Sequence, residues 1–177
     1  RDAITEITKL LEGTFPSIIK IDTKLSDNAL IEANESELHQ IIMNICTNSC
    51  HAMEGTKGRL TISADIISIE VEDTKPHVKL SMGQYVRLTI EDTGHGMPKE
   101  IMERIFEPFY TTKKQGKGLG IGLYTVHRIV ERLNGAITVE SEVGRGTTFN
   151  IYFPVPTIKS IKTIKREPAI KGGIEKI

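Results

Sequence analysis

Several features that mark secreted, membrane-spanning or nucleic-acid-binding chains are scarce or absent in this sequence. Its two cysteines, Cys46 and Cys50, are too few for a disulfide framework and indicate reduced thiols. No apolar run approaches the roughly 20 residues that cross a bilayer, and the N-terminus lacks the charged and then apolar layout of a signal peptide. The 23 basic residues balance the 23 acidic ones, so no net charge favours nucleic acid or membrane. We expect a cytoplasmic fragment of a longer protein that is not membrane-inserted and binds no nucleic acid.

The two cysteines could also be metal ligands, with His51 beside them. Cys46 falls on the apolar face of a helical pattern, however, and no further cysteine cluster exists in the sequence. Free cysteines on such a face are usually buried as small hydrophobic residues. We therefore interpret both thiols as part of the core.

Hydrophobic periodicity predicts an irregular order of helices and strands. Apolar residues repeat at intervals of three and four in the helical segments, most clearly over 35–54. The predicted helices are 2–11, 35–54 and 119–133, and the predicted strands are 18–21, 30–31, 60–71, 85–91, 136–140 and 147–153, of which the last two form a hairpin around 143–146. Since strands and helices do not alternate regularly, we predict an α/β (α+β) two-layer sandwich with helices on one face of a mixed sheet.

The character of the chain changes after Pro154. Residues 156–177 contain six basic and two acidic residues, with lysines nearly every third position and two glycines. We predict one domain over residues 1–155 and a basic linker or frayed tail over 156–177. A helix docked on the domain is the alternative for the tail.

Polar side chains form a row on the 35–54 helix. Gln40, Asn44, Asn48 and His51 are spaced by four, four and three residues, which places them within about 80° of one another. Asparagine disfavours helices because its amide competes for backbone hydrogen bonds. Two aligned asparagines beside a core therefore suggest ligand-binding amides, whose oxygens suit Mg²⁺. A solvated polar strip is the alternative.

An aspartate directly follows the predicted 85–91 strand and precedes two glycines. Asp92, Gly94 and Gly96 lie where sheets commonly expose ligand sites. A carboxylate there can accept a hydrogen bond from an amino group such as that of adenine, and glycines allow the backbone to approach a flat ring. An Asp–Gly turn without a ligand is the alternative.

Alternate glycines open the second long helix, at Gly116, Gly118, Gly120 and Gly122. They cost backbone entropy on folding, but the bare N–H groups of a helix N-terminus bind phosphate. Several nucleotide folds use this chemistry. The sequence departs from a Walker loop because Lys117 is followed by glycine, and from a dinucleotide fingerprint because the glycine spacing differs and no apolar strand precedes it. Glu140 lies about 20 positions downstream, where a ribose-binding acid would lie in a dinucleotide-binding fold. The dinucleotide alternative therefore stays open.

In this order, five segments resemble motifs of the catalytic domain of sensor histidine kinases. That domain belongs to the Bergerat-fold superfamily (GHKL), which includes DNA gyrase and the heat-shock chaperones. The N box matches 39–49, the G1 box 92–97, the F box 105–113, the G2 box 116–123 and the last glycine motif 144–149. The resemblance covers about Ala3 to Val155 and implies the Bergerat ATP-binding fold.

The resemblance implies a role for each matching residue. Asn48 would hold the Mg²⁺ that bridges the ATP phosphates with help from Asn44, and Asp92 would accept from the adenine amine with support from Thr147. Residues 109–118, the lid segment, would form a mobile cover over the nucleotide. The implied ATP-binding residues are Asn44, Asn48, His51, Asp92, Gly94, Gly96, Met97, Phe109, Thr111, Thr112, Lys113, Gly116, Lys117, Gly118, Leu119, Gly120, Ile121, Gly122, Leu123 and Thr147. His51 stands where many relatives have a phosphate-contacting lysine, and Ser49 and Gly122 also replace common residues.

The resemblance also implies the reaction. Hydrolysing members of the superfamily have a water-activating glutamate four residues before the Mg²⁺ asparagine, and Asn44 occupies that position. Asn44 has no basic form at neutral pH, so we expect slow hydrolysis and transfer of the γ-phosphoryl group to a histidine. None of the five histidines has the family's acceptor context, which is a following acidic residue and proline. The acceptor would therefore belong to a separate dimerisation domain.

Partners and alternatives follow from the same resemblance. In hybrid kinases a basic linker leads to a receiver domain, and Gly172 to Ile177 resembles the lead-in to its first strand. A receiver domain or response regulator is thus an expected partner in two-component signal transduction. The alternatives are an ATP-sensing or scaffold module that transfers nothing, and an anti-sigma-type serine kinase on the same fold.

Overall fold

Helices and strands follow one another irregularly, as the periodicity predicts. The computed structural model of the chain describes residues 2–26, 29, 31, 33–70, 80–113 and 118–155. Its elements in chain order are α1 (Asp2–Thr14), β1 (Ile19–Leu25), α2 (Glu35–Ala52), β2 (Gly58–Ile69), β3 (Gly83–Asp92), α3 (Lys99–Met102), α4 (Gly122–Arg132), β4 (Ala136–Glu142) and β5 (Gly146–Pro154). The predicted basic tail lies outside the described residues.

The strands form one mixed, five-stranded sheet in the order β1-β2-β3-β5-β4. β1 runs parallel to β2, and the other three pairs are antiparallel. β3 is central, and its last residue, Asp92, lies opposite Leu60 of β2 and Thr147 of β5. β2 and β5 therefore flank the carboxyl end of β3.

One hydrophobic core lies between this sheet and three helices. Alternate residues of β2, β3 and β5 face the core, as expected for a sheet with one buried face: Leu60, Ile62, Ala64, Val86, Leu88, Ile90, Phe149, Ile151 and Phe153. Apolar residues of α1, α2 and α4 pack against them. The other face carries polar pairs, including Arg87 with Asp65 and Thr89 with Asn150. The predicted two-layer sandwich is confirmed.

Hydrogen bonds fix both ends of α2. Asn34 caps the N-terminus by accepting from Ser36 N (3.0 Å), and Glu37 accepts from Asn34 N (3.1 Å) in a capping box. At the other end, Ala52 O accepts from His95 N (3.0 Å) in the loop after β3. The C-terminal end of α2 is thereby held against the loop after β3.

Two of the predicted elements are wrong in part. Ile31 does not lie in a strand, because it packs on the core while β1 continues to Leu25 and pairs with β2; its neighbour Leu30 is outside the described residues. The second long helix begins at Gly122 rather than Leu119. Gly120 has φ +66°, a left-handed conformation that interrupts a helix.

The cysteines are free thiols in α2. Cys46 is fully buried in the core, and burial raises its pKa to about 12. Cys50 is half-buried and packs against the same core. Within the described residues, no helix is both long and apolar enough to cross a membrane.

Candidate functional site

A cleft of about 910 Å³ opens beside the carboxyl end of β3. Its walls are α2, the loop after β3, the residues before α4 and the start of α4 itself. Most of the predicted site residues line it: Asn48, His51, Asp92, Gly96, Met97, Thr111, Thr112, Lys113, Gly118, Leu119, Gly120, Ile121, Gly122, Leu123 and Thr147. Asn44, Gly94 and Phe109 are not lining residues, and Gly116 and Lys117 lie outside the described residues.

Asp92 lies at the bottom of the cleft and is only 4% exposed. Its Oδ2 accepts a hydrogen bond from Ser49 Oγ (2.7 Å), and its Oδ1 accepts from Gly94 N (2.9 Å). A carboxylate has about four acceptor positions, so Asp92 can still receive an N–H from a ligand. The carboxylate is thus buried, oriented from two sides and able to accept a further hydrogen bond.

Two close backbone contacts at glycines shape the wall beside Asp92. Gly96 has φ +66°, and a Cβ there would lie 2.0 Å from Glu142 O. Gly146 has φ +117°, and a Cβ there would lie 2.0 Å from Asp92 O. Only glycine fits at either position, so the β4–β5 turn packs directly on the loop after β3. Gly94 packs on Ala52 at the end of α2, which explains why it does not line the cleft.

A hydroxyl pair supports the same wall. Ser141 Oγ accepts from Met97 N (2.8 Å), donates to Gly146 O (2.9 Å) and lies 2.9 Å from Thr147 Oγ1. Thr147 is 6% exposed and lies opposite Asp92 in the sheet. These bonds fix Thr147 and Met97, two predicted site residues, on one rigid surface.

Asn48 and His51 face the lid segment across the cleft. Lys113 Nζ donates to Asn48 Oδ1 (3.1 Å) and lies 3.1 Å from His51 Nδ1. Desolvation in the cleft lowers the pKa of Lys113. The amide oxygen of Asn48 therefore already interacts with a cationic side chain, which fits the predicted metal ligand. Since Mg²⁺ usually has few protein ligands, with waters and phosphate oxygens completing its shell, one or two amides suffice.

Asn44 lies one turn before Asn48 and beneath the start of α4. Its Oδ1 would be 3.3 Å from a Cβ at Gly122. Asn44 therefore lies beneath the first residue of α4 and does not line the open cleft. Glu54, at the far end of α2, is a carboxylate that does line it.

Backbone contacts between Phe109 and Gly120, which we call the clamp, join the two ends of the lid segment. Phe109 N donates to Gly120 O (2.9 Å), and a Cβ at Gly120 would lie 2.5 Å from Phe109 C. Phe109 itself has φ +65°, is 75% exposed and does not line the cleft. The residue before α4 is Ile121, whose side chain cannot accept from the first helical N–H groups. Helix N-termini whose N–H groups are not capped by a side chain favour an anion.

The cleft contains functional candidates that sequence reasoning missed. Ser49 and Ser141 hold Asp92 and Thr147, and Ile101, Ile105 and Phe149 supply apolar lining. Ser49 could have been found, since a lone hydroxyl on a buried helix face requires a partner. Ser141 carried a weaker signal of the same kind, because it follows Ile137 and Val139 at alternate positions of β4 and so falls on their face of the sheet.

A mixed sheet with helices on one face, and a glycine-lined cleft at the end of the central strand, define an α/β sandwich of the Bergerat type. Residues 33–157 match the family model described as "Histidine kinase-, DNA gyrase B-, and HSP90-like ATPase". The chain therefore belongs to this ATPase family.

Curated relatives of this chain carry the names of sensor kinases. It is 40% identical over 126 residues to sensor kinase CckA of Brucella abortus, which covers 70% of this chain and 13% of the relative. It is 32% identical over 138 residues to sporulation kinase C of Bacillus subtilis, which covers 78% of this chain and 28% of the relative. The chain thus spans less than a third of the length of these proteins.

Solved structures confirm the fold. The catalytic domain of histidine kinase ThkA superposes with a TM-score of 0.68 at 27% identity, covering 86% of this chain and 90% of that domain. Full-length ShkA in complex with AMPPNP gives a TM-score of 0.68 at 27% identity, covering 86% of this chain and 29% of that protein. The predicted Bergerat fold is confirmed.

Proposed function

We propose that the chain binds Mg-ATP in this cleft and donates the γ-phosphoryl group to a histidine of a separate dimerisation domain. The observation that carries this proposal is that Asn48, Asp92 and Gly118, which are far apart in sequence, line one cleft. The names of the kinase relatives and the AMPPNP complex of ShkA support it.

The Asp92 end of the cleft suits adenine. The buried carboxylate would accept a hydrogen bond from the 6-amino group, with the ring against Gly96 and Met97. Guanine has a carbonyl oxygen at the same position, and two acceptors facing one another are unfavourable when buried. Thr147, held by Ser141, would complete the polar contacts.

The other end of the cleft suits phosphates. The first N–H groups of α4 and the backbone of Gly118 and Gly120 would bind phosphate oxygens, as helix N-termini do. Asn48 would be a metal ligand, with Asn44 supporting from beneath. Mg²⁺, when bound, would neutralise part of the charge on the β- and γ-phosphates. Lys113 would move from Asn48 to the phosphates.

The proposed partners extend this function beyond the chain. The acceptor histidine would lie on the protein's own dimerisation domain, and a receiver domain or response regulator would accept the phosphoryl group next. The family match ends at residue 157, which supports a domain boundary near 155 and a linker role for 156–177. This arrangement would place the chain in the cytoplasm as part of a two-component system.

The test is phosphotransfer in trans. The chain is mixed with the dimerisation domain of its own full-length protein and with γ-labelled ATP and Mg²⁺. We expect acid-labile, alkali-stable label on the acceptor domain, none on this chain, and loss of transfer for Asp92→Asn. Acid-stable label would indicate a serine kinase instead. ATP binding without any transfer would indicate a sensing module, and either result would overturn the histidine kinase proposal.

A further inference from the structure

Ser49 is the one hydroxyl on the buried face of α2. It is 2% exposed, and the other buried residues of this helix are Leu38, Ile41, Ile42, Ile45 and Cys46. Burying a hydroxyl in such surroundings is unfavourable unless it forms a hydrogen bond. Ser49 forms that bond with Asp92 Oδ2 at 2.7 Å. The helix thus contacts the strand-end carboxylate through a single polar group.

This bond controls the orientation of the Asp92 carboxylate. The terminal torsion of an aspartate is broad, so the backbone alone does not fix the carboxylate plane. Gly94 N holds Oδ1 at 2.9 Å, and Ser49 Oγ holds Oδ2 from the opposite element. With both partners the plane of the carboxylate is determined. With Gly94 alone, the carboxylate could rotate while it keeps its one remaining hydrogen bond.

We propose that Ser49 is a positioning residue for base selection, which holds the Asp92 carboxylate in the orientation that accepts the 6-amino group of adenine. This inference rests on the proposed function, in which Asp92 reads that amino group. Ser49 acts through Asp92 and need not touch the base. Its contribution should therefore appear only with bases that carry the amino group.

A thermodynamic cycle between protein and ligand tests the proposal. Calorimetry with Mg²⁺ gives the affinities of wild type and Ser49→Ala for ATP and for purine riboside triphosphate, which lacks the 6-amino group. Wild type should prefer ATP by about 10- to 100-fold, the effect of one hydrogen bond to a charged group. In Ser49→Ala this preference should fall about three- to tenfold, while the affinity for the purine analogue changes less than about twofold.

Matched variants separate positioning from a general packing effect. Thr8→Val removes another buried hydroxyl, which donates to Ile4 O (2.8 Å) in α1, and should leave the preference for ATP unchanged. Ser49→Cys keeps the size and a weak donor, and should give an intermediate preference. Should Ser49→Ala fail to fold, judged by its thermal unfolding, Ser49→Cys provides the test.

The possible outcomes are distinct. If wild type prefers ATP and Ser49→Ala keeps the full preference, or loses affinity for both ligands equally, the positioning role is wrong and the proposed function stands. If wild type binds both ligands equally, Asp92 does not read the amino group. The proposed function is then wrong at its adenine end, and the role of Ser49 is wrong with it.

Discussion

At the residue scale, Lys113 brings a cationic group into the cleft beside Asn48 and His51. Lys113 lies 3.1 Å from both Asn48 Oδ1 and His51 Nδ1, and its pKa is lowered by desolvation. Phosphate oxygens would counter that desolvation by restoring polar partners to the side chain. In the proposed function, Lys113 would therefore be the positively charged group that contacts the phosphates beside Asn48.

Replacing Lys113 should change the dependence of ATP binding on Mg²⁺. In Lys113→Gln, affinity in the presence of EDTA should fall about three- to tenfold, because the phosphates lose the cation beside Asn48. With Mg²⁺ present the loss should be smaller, since the metal takes over the charge neutralisation. Calorimetry under both conditions gives the two ratios. Lys20→Gln, on β1, is the control for removing a surface lysine. Equal losses under both conditions would contradict this role.

The second prediction at this scale concerns Asn44 and the rate of ATP hydrolysis. A general base contributes about 10²- to 10⁴-fold to a rate, and Asn44 cannot act as one. Hydrolysis by the purified chain should therefore be at least about 100-fold slower than transfer to the acceptor domain. A coupled ADP assay measures the first rate and labelled transfer the second. Brisk hydrolysis that Asn44→Ala leaves unchanged would contradict the prediction, and Glu54→Gln would then test the other carboxylate that lines the cleft.

At the scale of elements, the lid segment is held where Phe109 pairs with Gly120. Gly120 combines φ +66° with a close approach to the Phe109 backbone, whereas Gly122, two residues later, lies in α4 and has the Asn44 side chain nearest to it. Two glycines of the same motif therefore have different physical roles. The first is required by the backbone, and the second leaves room for a neighbouring amide.

Alanine substitutions should distinguish these two glycines. Gly120→Ala puts a side chain into the left-handed region, at about 1–2 kcal/mol, and overlaps Phe109. Amide exchange at Phe109 N–H, which donates to Gly120 O, should therefore accelerate at least about fivefold. Gly122→Ala should change this exchange by less than about threefold, because alanine favours the helix. Equal exchange in both variants would show that the clamp does not depend on Gly120.

Element boundaries show where sequence reasoning succeeds and where it fails. The 35–54 helix was predicted closely, because its apolar repeat is long and regular. The start of α4 was misplaced, because the turn at Gly120 depends on a contact with Phe109 that is remote in sequence. Ile31 was assigned to a strand because two consecutive apolar residues do not reveal whether they pair in a sheet or pack on the core.

At the scale of the whole molecule, the class of fold was predictable and its assembly was not. Irregular alternation of elements predicts a mixed sheet with helices on one face, yet nothing local specifies that β5 inserts between β3 and β4. That insertion is what brings Thr147 opposite Asp92. Ordered motifs predicted which residues share the cleft, but not how Ser49 and Ser141 hold them, because the bonds between Ser49 and Asp92 and between Ser141 and Met97 join elements distant in sequence.

The central claim is that helix amides, a strand-end carboxylate and the glycines before α4 form one site for an adenine nucleotide. The most direct measurement is Mg²⁺-dependent ATP binding by calorimetry, for wild type and Asp92→Asn. We predict one site per chain in wild type and an affinity at least about tenfold lower in the variant, which loses a charged acceptor. Equal affinities for the two proteins, with both folded, would contradict the claim.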